Sequence, residues 1–270
     1  MQRARSVSSP YFTLVKKLLC PAFSILLLCN AAQAKISDAV QLLFLKNHVS
    51  AGFAFPVTLA KQESHTGLGE FEMRTLPGFS MQFDYAYNFN PYIGIASGSR
   101  MGIKNFGYHA AATPGEFAIQ KTVSRDYVQM IPFFSIPLLL TPRFFISKRS
   151  LLQADVGGSI TFFIPAGTIN TLNYFDGTDM KRVFEMKLFY QDRPLFMLHA
   201  GLSYGLILKS ENILKICCSI DYGRSRAIEG HYTFYGDDMK VGYGKMYSSL
   251  SSVEMGISYV FTRAAGIRKS

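Results

Sequence analysis

The chain has 270 residues, among them 23 Phe, 15 Tyr and no Trp, and carries 28 basic against 18 acidic side chains. This length suits one barrel or one to two ordinary domains. A hydrophobic fraction of 49% would also suit a soluble protein, so composition alone excludes neither class.

Residues 1–34 have the features of a secretory signal. An apolar core, Leu18 to Leu28, precedes Ala32-Gln33-Ala34, an A-x-A cleavage site. About 11 apolar residues are too few for a membrane helix, which needs about 20. The basic leader contains Arg3, Arg5, Lys16 and Lys17. We predict export and cleavage after Ala34, with a short anchor or a lipoprotein acylated at Cys29 as alternatives.

The mature chain, 35–270, then has 24 basic and 18 acidic residues, and the basic ones are dispersed. Export and the absence of a basic run argue against nucleic acid as a partner. Cys217 and Cys218 are adjacent, so in a strand they would point to opposite faces. We interpret them as packing residues, with redox or intermolecular pairing as the alternative.

No mature segment has 18 consecutive apolar residues, which excludes a bundle of membrane helices. Apolar residues instead recur with a period of two, which is typical of β-strands. The alternating segments are 48–59, 79–89, 92–106, 127–145, 151–164, 198–208, 214–222 and 252–261. Three prolines make the fourth segment the least regular.

The two faces of these segments differ in size as well as polarity. In 79–89 the aromatic and Met side chains alternate with Ser80, Gln82, Asp84, Ala86 and Asn88. A soluble barrel places its large apolar side chains inside, whereas a membrane barrel turns them toward lipid. The pattern therefore predicts an all-β, transmembrane, antiparallel up-and-down barrel of about eight strands.

The connections between the segments alternate in length. Short turns lie at 89–91, 147–150 and 209–212, and long stretches lie at 60–75, 107–126, 165–194 and 224–246. Short periplasmic turns and long extracellular loops are typical of outer-membrane barrels, with both termini on the periplasmic side.

Three stretches carry a resemblance to a known family. The segment Phe134 to Phe144, FSIPLLLTPRF, resembles the E-I-P-L-L-L-x-x-R-F strand of the PorT-like outer-membrane β-barrel family. After a short turn, Leu152 to Gly158 is similar to that family's next strand, and Ser251 to Phe261 is similar to its closing strand. The resemblance implies an outer-membrane β-barrel domain over 35–270.

The small, polar face of the segments carries four acids and four bases. We expect them in the barrel interior, where unpaired charge is costly and opposite charges tend to pair. These residues are Asp84, Arg100, Lys104, Arg143, Asp155, Lys215, Asp221 and Glu254. A salt-bridged plug is the leading interpretation. A narrow ion path, a ligand site at its mouth and an acid–base catalytic pair are the alternatives.

No catalytic, cofactor or metal site emerges from the motifs. The five histidines are scattered: His48 and His199 are predicted to face inward, and His65, His109 and His231 fall in long connections. The sequence lacks G-x-S-x-G, H-E-x-x-H and a Cys/His cluster.

The long connections are rich in aromatic residues, which we interpret as a girdle at the lipid interface or, alternatively, as a binding surface. Within them, 179–190 could be a short rim helix or a strand extension. We expect a non-enzymatic outer-membrane barrel with a plugged lumen. Its expected partners are outer-membrane lipid, the barrel-assembly machinery, and an extracellular ligand or protein bound by the loops. The alternatives are a lipid- or peptide-modifying enzyme and a small transport or secretion-accessory barrel.

Overall fold

The computed structural model describes Phe44 and residues 47–115, 117, 119–164, 169–176, 179–236 and 239–262. The predicted signal segment and its cleavage site lie outside these residues. The described part of the chain contains no helix with the length and apolarity needed to cross a bilayer.

The described residues form twelve strands. They are β1 (His48–Gly67), β2 (Glu70–Thr75), β3 (Phe79–Asn90), β4 (Ile93–Ala112), β5 (Val123–Ser147), β6 (Ser150–Phe163), β7 (Ile169–Asp176), β8 (Asp179–Tyr190), β9 (Leu195–Ile207), β10 (Ile213–Gly223), β11 (Ile228–Gly236) and β12 (Met239–Phe261).

Eight of these strands close into a ring. The hydrogen-bonded order is β1-β3-β4-β5-β6-β9-β10-β12, and β12 pairs back onto β1 from Val49↔Phe261 to Thr58↔Ser252. Every pairing in the ring is antiparallel. The eight strands match the eight alternating segments, apart from Tyr92, Ile164 and Leu208 at segment ends. The predicted eight-stranded up-and-down barrel is therefore confirmed.

The outer surface of the ring is apolar over most of its height. On β1 the exposed side chains run from Val49 to Leu59, and Leu138 on β5 is 63% exposed. Ten residue steps of about 3.3 Å at a tilt of about 40° span about 25 Å, the height of the apolar band of a membrane barrel. The apolar outer surface of the ring is therefore tall enough to match the band that a membrane barrel exposes to lipid.

At one end of the ring the strands are joined by the predicted tight turns. Asn90 Oδ1 accepts hydrogen bonds from the backbone N–H groups of Tyr92 (2.8 Å) and Ile93 (2.9 Å). Such an Asx turn lets the chain reverse without additional residues. The other two turns, Lys148-Arg149 and Leu208 to Asn212, lie at the same end.

The irregular fourth segment is a single strand, β5, that tolerates proline with help from a neighbour. The β4–β5 ladder is interrupted between Ser97↔Leu138 and Arg100↔Ser135, opposite Pro137. Proline has no N–H to donate. The Ser97 hydroxyl donates to the Pro137 carbonyl at 2.8 Å, which accounts for a serine on the apolar face.

At the other end of the ring, the interpretation of the long connections as loops is wrong. β1, β4, β5 and β12 continue beyond the barrel, and β2, β7, β8 and β11 are additional strands. They form one sheet of β7, β8, β11 and the upper halves of β12 and β1, and a second of β2 with the upper halves of β4 and β5. The segment 179–190 is strand β8, so the strand alternative is the correct one.

The aromatic residues of these connections do not form the expected girdle; most pack between the two sheets. Phe71 on β2 stacks on Tyr232 of β11 with ring centroids 3.9 Å apart. Phe106, Tyr108, Phe184 and Phe234 are fully buried in the same core. Burial between the two sheets removes these large side chains from solvent, which stabilises the unit. We call this unit the upper core.

Three glycines adapt the chain to the upper core. Gly67 and Gly69 have φ values of 91° and 94° in the β1–β2 turn, a conformation that side chains rarely adopt. A Cβ at Gly244 would lie 2.2 Å from the Tyr232 hydroxyl, which donates to the Ser64 carbonyl at 3.0 Å. Burial raises the pKa of Tyr232 to about 12, so it remains a donor.

The upper core should depend on Phe184, which is 0% exposed. We expect Phe184→Ala to lower the free energy of unfolding by about 3–5 kcal/mol, because the cavity it leaves is closed on all sides. Urea unfolding in detergent measures this. Phe175→Ala on β7, where the side chain is 68% exposed, is the control and should cost far less. Equal losses in the two variants would contradict a packed upper core.

Candidate functional site

The interior of the ring contains all eight charged residues selected from the sequence. They lie on six of its strands, and every one belongs to the small, polar face that turns inward. They are not one cluster. They form a lower layer near the tight turns, an upper layer below the upper core, and a cavity between the two.

The lower layer is built around Arg143, whose guanidinium binds neutral groups. It donates to Asn88 Oδ1 (2.6 Å), Gln153 Oε1 (3.1 Å) and Thr141 Oγ1 (3.2 Å). Lys215 Nζ donates to the same Gln153 oxygen at 2.9 Å. The amide N–H of Gln153 donates to Asp155 Oδ1 at 2.6 Å. One glutamine amide therefore connects two cations to a carboxylate.

The upper layer is built around Asp221. The carboxylate accepts from His199 Nδ1 at 2.7 Å and lies 3.9 Å from Lys104 Nζ. Lys104 and Asp221 form the Lys/Arg–carboxylate ion pair of the ring interior within the described residues. Lys104 also donates to Ser252 Oγ (2.9 Å), whose hydroxyl donates to Glu254 (3.1 Å).

Lys104 also supports a strained backbone position. Leu250 on β12 has a φ of 56° and is fully buried. A left-handed conformation in a non-glycine residue costs of order 1–3 kcal/mol and needs support from its surroundings. Lys104 Nζ donates to the Leu250 carbonyl at 2.9 Å. This bond fixes the place where β12 passes from the ring into the upper sheet.

Between the two layers lies a polar cavity of about 70 Å³. Asp84, Arg100, Asp155 and Lys215 are on its wall. Asp84 Oδ1 and Arg100 Nε are buried without a hydrogen-bond partner in the described structure. The volume suffices for a few water molecules, which satisfy such groups in protein interiors.

Apolar side chains close the interior at both ends. At the tight-turn end, Phe44 is 1% exposed and packs on Phe145, with ring centroids 5.1 Å apart, and against Arg143, whose Cζ is 5.2 Å from the ring. Leu151, Ile213 and Val260 complete this cluster. At the opposite end the upper core covers the ring. Sequence reasoning did not identify Phe44, because it precedes the first alternating segment.

The loop histidines occupy separate places. His65 stacks on Tyr232, His109 Nδ1 lies 2.7 Å from Asp126 Oδ1, and His231 packs edge-on against Phe189. Within the described ranges, no three His, Cys, Asp or Glu residues are arranged to hold a metal ion. Cys217 faces the interior and Cys218 the outside, as predicted, and both are free thiols.

His109 and Asp126 belong to a surface cluster on the second upper sheet. Arg74 Nη1 donates to Asp126 Oδ1 at 2.8 Å, which joins β2 to β5 across β4. The hydrogen bond from His109, with the charges of His109 and Arg74, lowers the pKa of Asp126. A lowered carboxyl pKa means that this link is complete above the ordinary pKa and is lost as the pH falls through the lowered value.

No protein family and no curated protein matches the sequence. The fold is similar to that of the outer membrane protein OprG from Pseudomonas aeruginosa, at 12% identity and a TM-score of 0.46 over 80% of this chain and 95% of that chain. It is also similar to Neisserial surface protein A, at 11% identity and a TM-score of 0.38 over 80% of this chain and 96% of that chain. A third similar structure is the outer membrane protease OmpT from Escherichia coli, at 7% identity and a TM-score of 0.37 over 79% of this chain and 97% of that chain.

A closed antiparallel ring with bulky apolar side chains outside and charged side chains inside defines a class, the transmembrane β-barrel proteins. Closure leaves no strand edge in hydrocarbon, where each unsatisfied backbone group would cost several kcal/mol. The chain has this architecture, with the two upper sheets added at one end.

The contacts of Lys104 in the upper layer should contribute to the stability of the barrel. We expect Lys104→Met to destabilise the barrel by about 3–5 kcal/mol. The methionine side chain is similar in length to lysine but uncharged, so the buried Asp221 carboxylate loses the ammonium group beside it. Equilibrium unfolding in urea measures the loss. Lys148→Met in the exposed β5–β6 turn is the control and should change stability little. A Lys104→Met barrel as stable as the parent would show that the ammonium is dispensable.

Proposed function

We propose that the protein is an integral outer-membrane β-barrel whose lumen does not conduct and whose upper sheets present the functional surface. The role is non-enzymatic: the barrel anchors the upper unit at the membrane surface. Binding of an extracellular ligand or protein then takes place on the upper sheets.

The observation that carries this proposal is the closure of the interior at both ends. The Phe44 cluster covers the tight-turn end, and the upper core of packed aromatic rings covers the other. An eight-stranded barrel is only wide enough for its own side chains to fill. The space between the two layers is small, about 70 Å³. These features favour an anchor over a transport or secretion-accessory barrel.

The outer membrane is proposed as the location because closed barrels of this kind are the β-structures that cross that membrane. Export through residues 1–34 and assembly by the barrel-assembly machinery are parts of the same proposal. The PorT-like family is the family we propose for the chain, on the three stretches that resemble it.

The enzyme alternative has a direct test. A lipid- or peptide-modifying activity that disappears in His65→Ala, His109→Ala or His231→Ala, while folding is retained, would favour it over the anchor. The anchor proposal expects no such activity in outer-membrane preparations of the parent chain.

The proposal predicts heat-modifiable migration in gels of outer-membrane fractions, because the closed barrel resists detergent until it is boiled. Planar bilayers containing the purified barrel should show no stable conductance steps. Phe44→Ala should also remain silent, because the upper core still closes the opposite end. Stable steps from the parent barrel would contradict a sealed lumen, and absence of heat modifiability would contradict the barrel itself.

A further inference from the structure

The outer face of the first upper sheet contains a polar groove of about 300 Å³ immediately above the apolar belt. Ser64 and Lys245 are paired on β1 and β12, and His231 on β11 pairs with Lys245, so the three lie in one row across adjacent strands. Arg226 and Glu229 line the other side of the groove.

The lower edge of the groove lies at the depth of lipid headgroups. Lys61 follows Leu59, the last exposed apolar residue of the β1 belt, by two residues, and its partner Tyr247 pairs in turn with Glu229. Two residues on a tilted strand rise about 5 Å. The polar interface of a bilayer is about 5–7 Å deep on each side.

The cations of this groove are of two kinds. Arg226 is neutralised: it makes two bonds to Glu63, at 2.7 and 3.2 Å, lies 3.6 Å from Glu229, and stacks over the Tyr247 ring at 4.5 Å. Lys61 and Lys245, in contrast, have no ion-pair partner among the described residues. The free ammonium group of Lys245 therefore lines the groove. Lys61 lies on the neighbouring strand, opposite Tyr247 and two residues closer to the belt than Lys245.

We propose that this groove binds the phosphorylated sugar headgroup of a lipid in the surrounding leaflet. Lys61 and Lys245 bind the phosphate, and the Ser64 hydroxyl lies in the same row to donate to it. Glu63 and Glu229 accept hydrogen bonds from sugar hydroxyl groups. The exposed ring of Tyr243, two residue pairs above Lys245, extends the face on which a sugar can stack.

The positive charge beside the groove and the position of the groove next to the apolar belt together favour a lipid as the ligand. The acyl chains of a bound lipid would lie against Val57 and Leu59, which belong to the belt that already faces hydrocarbon. On the second upper sheet, Arg74 is bound to Asp126. This inference rests on the proposed membrane location and specifies the lipid chemistry that the anchor recognises.

The test is a titration of the purified full barrel in detergent with lipid A, and native mass spectrometry measures binding. Two forms of lipid A are compared, one with its phosphates and one from which the phosphates have been removed enzymatically. We expect the phosphorylated form to bind more tightly. Each lysine neutralised near a charged lipid surface costs about fivefold in affinity, so K61Q/K245Q should lose about 25-fold.

The matched control is K121Q/K148Q, which removes the same charge at exposed positions outside the groove. It should bind like the parent. Equal binding of the two lipid forms, or equal losses in the two double variants, would overturn the proposal. Heat-modifiable migration of each variant is followed in parallel, so that failure of the barrel to form is distinguished from failure of the groove to bind.

Discussion

The structure depends on one constraint, the closure of β12 onto β1. In hydrocarbon no water is present to satisfy an open strand edge, so a sheet can cross only when its first and last strands pair. The ladder from Val49↔Phe261 to Thr58↔Ser252 meets this requirement over the full height of the belt. The short turns, the inward polar face and the placement of the upper sheets all follow from that ring.

Along a single strand the direction of the apolar face reverses. On β4, Met101 and Ile103 face lipid, whereas Phe106 and Tyr108 a few residues later face inward and are fully buried. On β12 the reversal falls at Leu250, where the backbone takes its left-handed conformation. The physical cause is the change of solvent, because large apolar side chains turn toward lipid below this level and away from water above it.

This reversal explains which strands could be predicted from the sequence and which could not. The eight ring strands were predicted because their period-two pattern keeps one phase across the membrane. Strands β2, β7 and β11 fall in segments predicted as loops, and for β8 the sequence left a helix and a strand extension open. β11 nevertheless alternates Ile228, Gly230, Tyr232 and Phe234 with its other residues. The phase change looks like the end of a strand, and the bulge at Val183 interrupts the period on β8. The eight interior charges could be predicted from the alternation, because each lies on the small, polar face of its segment. The connection of Arg143, Lys215 and Asp155 through Gln153 could not be predicted, because it depends on which strands are neighbours.

The central claim is that the bulky face of the ring is the lipid face. Spin labels at successive positions from Met81 to Tyr87 on β3, in lipid vesicles and with the native cysteines replaced, test it directly. We expect collision with dissolved oxygen to be high at Met81, Phe83 and Tyr85 and low at Gln82 and Asp84. High oxygen collision at Gln82 and Asp84 instead, or no alternation at all, would contradict the account.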